Sequence, residues 1–233
     1  MKKIYKILNS KPLLGPRRKF FKYLKEYLAS RGEEIIAVPD QFRDLIKEIK
    51  KDNELLITNA EAYQLCLLVL LANKLPGDFA EVGTYKGGTS KLIAELKGDK
   101  PLYLFDTFTG LPKPVCHDSK HFRSGLYEAN LKSVKKYLSG YKEIFIYPGL
   151  FPNTALHVRK KSFSFVHLDV DLYKSTLSCL KFFYPRMSKG GIIVSHDYSD
   201  SLGVQKAFDE FFTKKPEAIV KLAVGSQCMI MKM

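Results

Sequence analysis

FVHLDVDLYKST, residues 165–176, runs an apolar segment straight into acid. Phe165 to Leu168 read as a buried strand. Asp169 and Asp171 follow at alternate positions, with Tyr173 and Ser175-Thr176 close behind. A helical pattern then covers about Lys174 to Tyr184, and Pro185 prevents it from continuing for long. In open parallel sheets, ligands bind outside the carboxyl ends of the strands. The two aspartates stand at such an end.

The same texture extends both ways from residue 78 onward. DFAEV (78–82) leads through a glycine-rich turn into the helical TSKLIAEL (89–96), and PLYLFD (101–106) is the next strand. YEANLKSVKKYLSG (127–140) is predicted as a helix and EIFIYPG (143–149) as a strand. After a turn at SKGG come the strand GIIVSHD (191–197) and the helix SLGVQKAFDEFFTKK (201–215). AIVKLAV and QCMIMKM can close as an antiparallel terminal pair. Strands alternating with helices predict an α/β, Rossmann-like fold: a mostly parallel twisted sheet with helices on both faces.

Upstream the chain reads as helical. RRKFFKYLKEYLASRG (17–32), QFRDLIKEIKKD (41–52) and TNAEAYQLCLLVLLANKLPG (58–77) each space apolar residues along a helix. The expected division is a helical extension over 1–57 and an α/β domain over 58–233.

With 38 Lys+Arg against 24 Asp+Glu, the formal charge is +14, which invites an anionic partner. Lysine is spread along the whole chain without a basic tail, so a solvated surface is the plainer account and nucleic acid is not the expected partner. Four cysteines form no CxxC pair, and no secretory signal is visible, so a cytoplasmic setting is expected. The run LCLLVLLA (65–72) is far short of the ~20 residues that span a bilayer.

EVGTYKGGTS (81–90) joins the first strand to its helix through Gly83, Gly87 and Gly88. Asp106 ends the second strand 23 residues after Gly83. An acid there is placed to hydrogen-bond a ribose diol. The turn has neither the GxGxxG of dinucleotide sites nor the GK[ST] of a P-loop. A looser turn suits an adenosine cofactor without a pyrophosphate, and S-adenosylmethionine is one. A tight turn with no ligand explains the glycines equally well when they are taken alone; Asp106 in register favours the ligand.

Asp169 and Asp171 leave one strand, and His196 and Asp197 leave the next. If those strands are neighbours, carboxylates and an imidazole converge over the cleft, a donor set that suits a divalent cation. Strand alternation would turn Asp169 and Asp171 to the same face. One could then hold metal while the other accepts a proton from an alcohol. The alternative is a set of ordinary strand-end turn residues.

Six segments, PGDFAEVGTYKGGTSKL, LFDTFTGLP, GLFPNT, FVHLDVDLYKST, YPRMSKGGIIVSHDY and GVQKAFDEFF, resemble the macrocin O-methyltransferase family, within the class I S-adenosylmethionine-dependent methyltransferases. The resemblance runs from about Thr58 to Phe212 and implies Mg²⁺-assisted methylation of a sugar hydroxyl. By motif it implies that Glu81, Gly83, Tyr85, Gly87, Gly88, Thr89 and Ser90 serve the cofactor's methionine and ribose. Asp106, in a DTF motif with Thr107 and Phe108, is implied as the ribose acid. Asp169 is implied as a metal ligand beside the cofactor, Asp171 as the general base, and Asp197 as a further ligand. His196 stands where family members often carry a second Asp, and imidazole favours transition metals more than Mg²⁺. Gly149 to Phe151 either border the adenine or form a plain strand-end turn.

LPKPVCHDSKHFRSGLYEAN (111–130) resembles the segment that covers the active site in such enzymes. Cys116, His117 and His121 within it fit no zinc-finger spacing. Arg123 and Tyr127 are candidate substrate contacts. The expected partner is a small molecule or glycan bearing a sugar hydroxyl. The N-terminal helices are expected to cap the cleft or make a homo-oligomer contact; Arg17-Arg18-Lys19-Phe20-Phe21 leaves peripheral membrane contact as an alternative. Two rival functions are a nicotinamide-dependent oxidoreductase and a non-catalytic basic binding module on the same scaffold.

Overall fold

The computed structural model describes residues 39–52 and 55–233. The helix expected over 17–32 and the basic-aromatic cluster at 17–21 lie outside the described residues.

Helix α1 (Asp40–Asp52) buries one stripe, Phe42, Ile46 and Ile49. Helix α2 (Asn59–Asn73) starts at a capping box in which Thr58 and Glu61 satisfy each other's backbone amides. Strand β1 (Asp78–Val82) leads to helix α3 (Gly88–Leu96), and strand β2 (Leu102–Asp106) follows. Helix α1 packs on α2 and α3, and Lys91 of α3 reaches Glu48 of α1 at 3.4 Å. The compact body therefore begins at Pro39, upstream of the boundary expected at residue 58.

Next come helix α4 (Leu131–Tyr137), strand β3 (Ile144–Pro148), a 3₁₀ turn (Asn153–Val158) and strand β4 (Phe163–Leu168). Helix α5 (Tyr173–Phe183), strand β5 (Met187–Ser195), helix α6 (Leu202–Phe212) and the short strands β6 (Val220–Lys221) and β7 (Cys228–Met231) complete the chain.

Seven strands form one sheet in the order β3-β2-β1-β4-β5-β7-β6. Strands β1 to β5 pair in parallel, while β7 runs antiparallel to both β5 and β6. The strand order reverses between β1 and β4, the switch point at which doubly wound sheets open a crevice. One face of the sheet, with Ala80, Val82, Val166, Leu168 and Ile193, packs on Leu180 and Phe183 of α5 and on Val204, Phe208 and Phe212 of α6. Truncating a ring such as Phe183 to alanine there costs about 3–5 kcal/mol. Helix α2 lies against β4 and β5 on the other side.

Two expectations need correction. The helix expected over 127–140 begins only at Leu131, because the Asn130 side chain caps it through the Ser133 amide at 3.0 Å and Tyr127 is left-handed (φ 64°). The turn expected at SKGG is instead part of β5: pairing with β4 slips between Phe163 and Phe165, and that irregularity absorbs the two glycines. The terminal antiparallel pair forms as expected, though β6 is only two residues long. Among the described residues, no helix is long and apolar enough to cross a membrane.

Candidate active site

A cleft opens at the carboxyl ends of β1, β2, β4 and β5. Gly83, Thr84, Tyr85, Gly88, Thr89, Asp106, Thr107, Gly149, Asp169, Asp171, His196 and Asp197 all line it. Gly83 is left-handed (φ 95°), and a Cβ there would overlap the Asp169 carbonyl oxygen. Only glycine lets the two strand exits come this close.

Four residues expected around the cofactor lie beneath or beside the cleft. Glu81 is fully buried: Ser90 Oγ donates to one carboxylate oxygen, and His167 Nδ1 stands 2.8 Å from the other. His167 is the register partner of Glu81 across β1 and β4, which draws the carboxylate into the core and takes Ser90 with it. Gly87 is the left-handed N-cap of α3 (φ 87°), backed by Val134 and Tyr137. Phe108 is buried, and its amide donates to Asp106.

Asp106 ties the two loops together. One carboxylate oxygen accepts the Tyr85 amide and the other the Phe108 amide, both at 2.7 Å. Burial raises its pKa, and the amides oppose the rise. A carboxylate has about four lone-pair sites, so this one retains acceptor capacity toward the cleft. Nearby, Thr84 Oγ1 is buried without a hydrogen-bond partner. A cofactor rich in hydroxyl and amine groups fits both features.

The acids form a second cluster. One ligand atom from each of Asp169, His196 and Asp197 lies within 4.8 Å of the others. His196 Nδ1 stands 2.9 Å from Asp197 Oδ1 and 3.4 Å from Asp169 Oδ1, and its Nε2 stands 3.5 Å from Glu61 Oε1. Burial would lower the His196 pKa, but the Asp169, Asp197 and Glu61 carboxylates raise it far above the ordinary value. Burial likewise opposes ionisation of Glu61, and His196, Ser226 and Thr58 overcome it and hold that carboxyl low.

Asp171 does face the cleft, but not by strand alternation: β4 ends at Leu168, and Asp171 is left-handed (φ 57°). Its carbonyl is pinned by Ser201 Oγ at 3.0 Å. Burial first, then the Asp169 and Asp197 carboxylates, push its pKa up to about 9.

Backbone strain gathers here. Six described non-glycine residues have positive φ; Tyr85, Tyr127, Asp171 and Asp197 among them line the cleft, and Phe108 adjoins it. The Tyr85 and Tyr127 rings meet edge to face at 5.9 Å. Residues 111–126 form an arch whose flanks, Leu111 and Tyr127, line the cleft. The arch closes at its neck where the Leu111 amide donates to the Leu126 carbonyl at 2.7 Å. Farther out, Asp118 accepts the Tyr173 amide at the start of α5, also at 2.7 Å. His117 packs on the Tyr173 ring and His121 pairs with Ser119, and among the described residues these histidines do not gather with Cys116 into a three-donor cluster.

The sequence profile of the macrocin-O-methyltransferase (TylF) family matches residues 58–221, most of the chain. The chain belongs to this family. A Streptomyces olivaceus protein, 8-demethyl-8-(2,3-dimethoxy-alpha-L-rhamnosyl)-tetracenomycin-C 4'-O-methyltransferase, is 29% identical over 153 residues, 58% of each chain. Demethyldecarbamoylnovobiocin O-methyltransferase of Streptomyces niveus is 26% identical over 174 residues, 68% of this chain and 66% of its own length. The chain spans between 58% and 66% of the length of the curated relatives it matches. The fold agrees: the O-methyltransferase NovP superposes with a TM-score of 0.69 at 22% identity, over 78% of this chain and 83% of that one.

For a macrocin O-methyltransferase family member, three features of this cleft escaped the sequence reading. Glu61 stands behind His196, yet in sequence no motif marks it for the site. Leu55, Leu56 and Ile57 line the cleft from the segment before α2, where no motif marks them. Cys179, which reads as a small core residue, also forms part of the cleft wall.

Proposed function

We propose that this family member transfers a methyl group from S-adenosylmethionine to a sugar hydroxyl of a glycan, nucleotide-sugar or secondary metabolite, with a divalent cation assisting. One observation carries the reading: a single cleft joins Asp106 to the acid cluster across the contact of Gly83 with Asp169. The Streptomyces olivaceus relative is named for a rhamnosyl-bearing substrate, which supports a sugar acceptor.

When bound, S-adenosylmethionine supplies a methyl group activated on a positively charged sulfur. Asp106 and the unpartnered Thr84 hydroxyl would hold its ribose and amino acid, and Gly149 to Phe151 would border its base. Asp169, His196 and Asp197 would hold the cation, which supplies Lewis acidity that lowers the pKa of the acceptor hydroxyl. Without a cation, burial and the neighbouring acids keep Asp171 protonated. The charge of a cation held by Asp169 and Asp197 would offset theirs and favour the carboxylate, and Asp171, which faces the same space, would then take the proton. Leu111, Pro112 and Tyr127 line the same cleft and would screen the reacting atoms from water. Tyr85 and Tyr127 offer the acceptor aromatic surface beside the acids.

Four free cysteines, three of them buried, support the cytoplasm as the place of action. A homo-oligomer built through the N-terminal segment belongs to the same reading, and sedimentation of the full chain measures it.

The test is calorimetry with S-adenosylhomocysteine and with NAD(H), followed by transfer of labelled methyl to a panel of free, nucleotide-linked and aglycone-linked sugars. Binding of S-adenosylhomocysteine alone, with label on one sugar class, is the expected result. Binding of NAD(H) instead would revive the oxidoreductase. Cofactor binding with no acceptor labelled in any class would favour the non-catalytic module.

A further inference from the structure

His196 uses its two ring nitrogens differently. Nδ1 faces Asp197 Oδ1 at 2.9 Å and Asp169 Oδ1 at 3.4 Å, while Nε2 is turned to Glu61 Oε1 at 3.5 Å. Ligand atoms sharing an ion through bonds of ~2.1 Å at right angles lie about 3 Å apart. The Nδ1 separations are of that size. On the Nε2 side a carboxylate stands at ion-pair distance, 3.5 Å, in the position to which metal-bound histidines give their second N–H.

Glu61 is fixed in place independently of His196. It is buried, its Oε2 accepts the Thr58 amide and hydroxyl at 3.0 Å each, and its Oε1 accepts the Ser226 amide at 2.8 Å and hydroxyl at 3.2 Å. Gly225, left-handed at φ 80°, leaves room for it: a Cβ there would overlap the Glu61 carboxylate. A helix from the first part of the chain and a loop from its last part thus clamp one acid behind the imidazole.

Resting on the metal-assisted reading above, we infer that the centre is built for a divalent ion that accepts imidazole, of the Fe²⁺, Co²⁺ and Zn²⁺ class, ahead of Mg²⁺, and that Glu61 is the positioning residue that presents His196 Nδ1 to it. Mg²⁺ takes oxygen ligands and keeps much of its water, whereas imidazole suits the transition ions. An Asp at position 196 would make an all-oxygen set; His196 with its buried brace does not.

Any mixed site binds Co²⁺ more tightly than Mg²⁺, so the change in that preference on mutation decides the question. Chelator-treated full-length chain, saturated with S-adenosylhomocysteine, is titrated with CoCl₂ and with MgCl₂ by calorimetry, and the visible Co²⁺ bands are recorded. His196→Asp is expected to lower the Co²⁺/Mg²⁺ affinity ratio at least tenfold and to shift the bands. Glu61→Gln keeps an accepting oxygen for the Thr58 amide but turns an NH₂ on the Ser226 amide, and it is expected to weaken Co²⁺ binding ~10–100-fold. In a His196→Asp background the same Glu61→Gln change should leave Mg²⁺ affinity unaltered, which a general structural role would not. An unchanged ratio in His196→Asp overturns the inference while leaving the methyltransferase reading intact. Failure of both ions to bind overturns it together with metal assistance. Failure to bind S-adenosylhomocysteine itself sinks the cofactor reading underneath.

Discussion

Gly83 and Asp169 touch backbone to backbone: a side chain on Gly83 would run into the Asp169 carbonyl oxygen. The exits of β1 and β4 are thereby held as one floor, with Asp106 and its loops on one side and the acids on the other.

Gly83→Ala is therefore expected to be severely damaging. The new methyl meets rigid backbone, and φ 95° is unfavourable for any L side chain. Overpacking and left-handed strain together amount to roughly 3 kcal/mol or more. Urea denaturation measures it; a midpoint equal to that of the parent would show that the two exits can move apart.

Asp171→Asn keeps the shape of the side chain and removes its basicity. Turnover is expected to fall about 10²–10⁴-fold, the usual worth of a positioned base, with S-adenosylhomocysteine affinity nearly unchanged. Parallel loss of that affinity would assign Asp171 to the cofactor instead of the proton.

Asp106→Ala deprives the Tyr85 and Phe108 amides of their acceptor. Leaving such groups unpaired costs about 1–3 kcal/mol each. S-adenosylhomocysteine binding is expected to weaken at least tenfold in calorimetry, and undiminished affinity would remove Asp106 from the cofactor site.

Asp118→Ala releases the arch from α5, since the Asp118 carboxylate accepts the Tyr173 amide. A lost cap of this kind costs about 1 kcal/mol. Faster amide exchange over residues 111–126 and a raised KM for the acceptor are expected, with cofactor affinity preserved. Exchange confined to its parent rate would mean that the neck at Leu111 and Leu126 holds the arch alone.

The sheet was legible because its cues are local: period-two and period-3.6 patterns alternate from residue 78 onward, and each acid of the cluster sits within a few residues of a strand end. Glu61 was not, because helix α2 brings it across β4 and β5 from more than a hundred residues away, and nothing local to it signals that contact. The burial of Glu81 and Ser90 was not legible for a related reason. The motif puts them on the cofactor turn, but cross-strand pairing with His167 pulls the carboxylate inward, and register between distant strands is not written in either segment. The SKGG turn misled because glycines that signal a turn also serve a bulge.

Tyr85, Phe108, Tyr127, Asp171 and Asp197 are held at backbone angles where glycine would rest more comfortably. Selection for heat resistance alone would be drawn to these positions, because a glycine at each relieves local strain of order 1 kcal/mol or more. The hardier variants would be poorer catalysts. Melting temperature and turnover moving in opposite directions across such a glycine series would reveal a protein tuned for its chemistry at the expense of its durability.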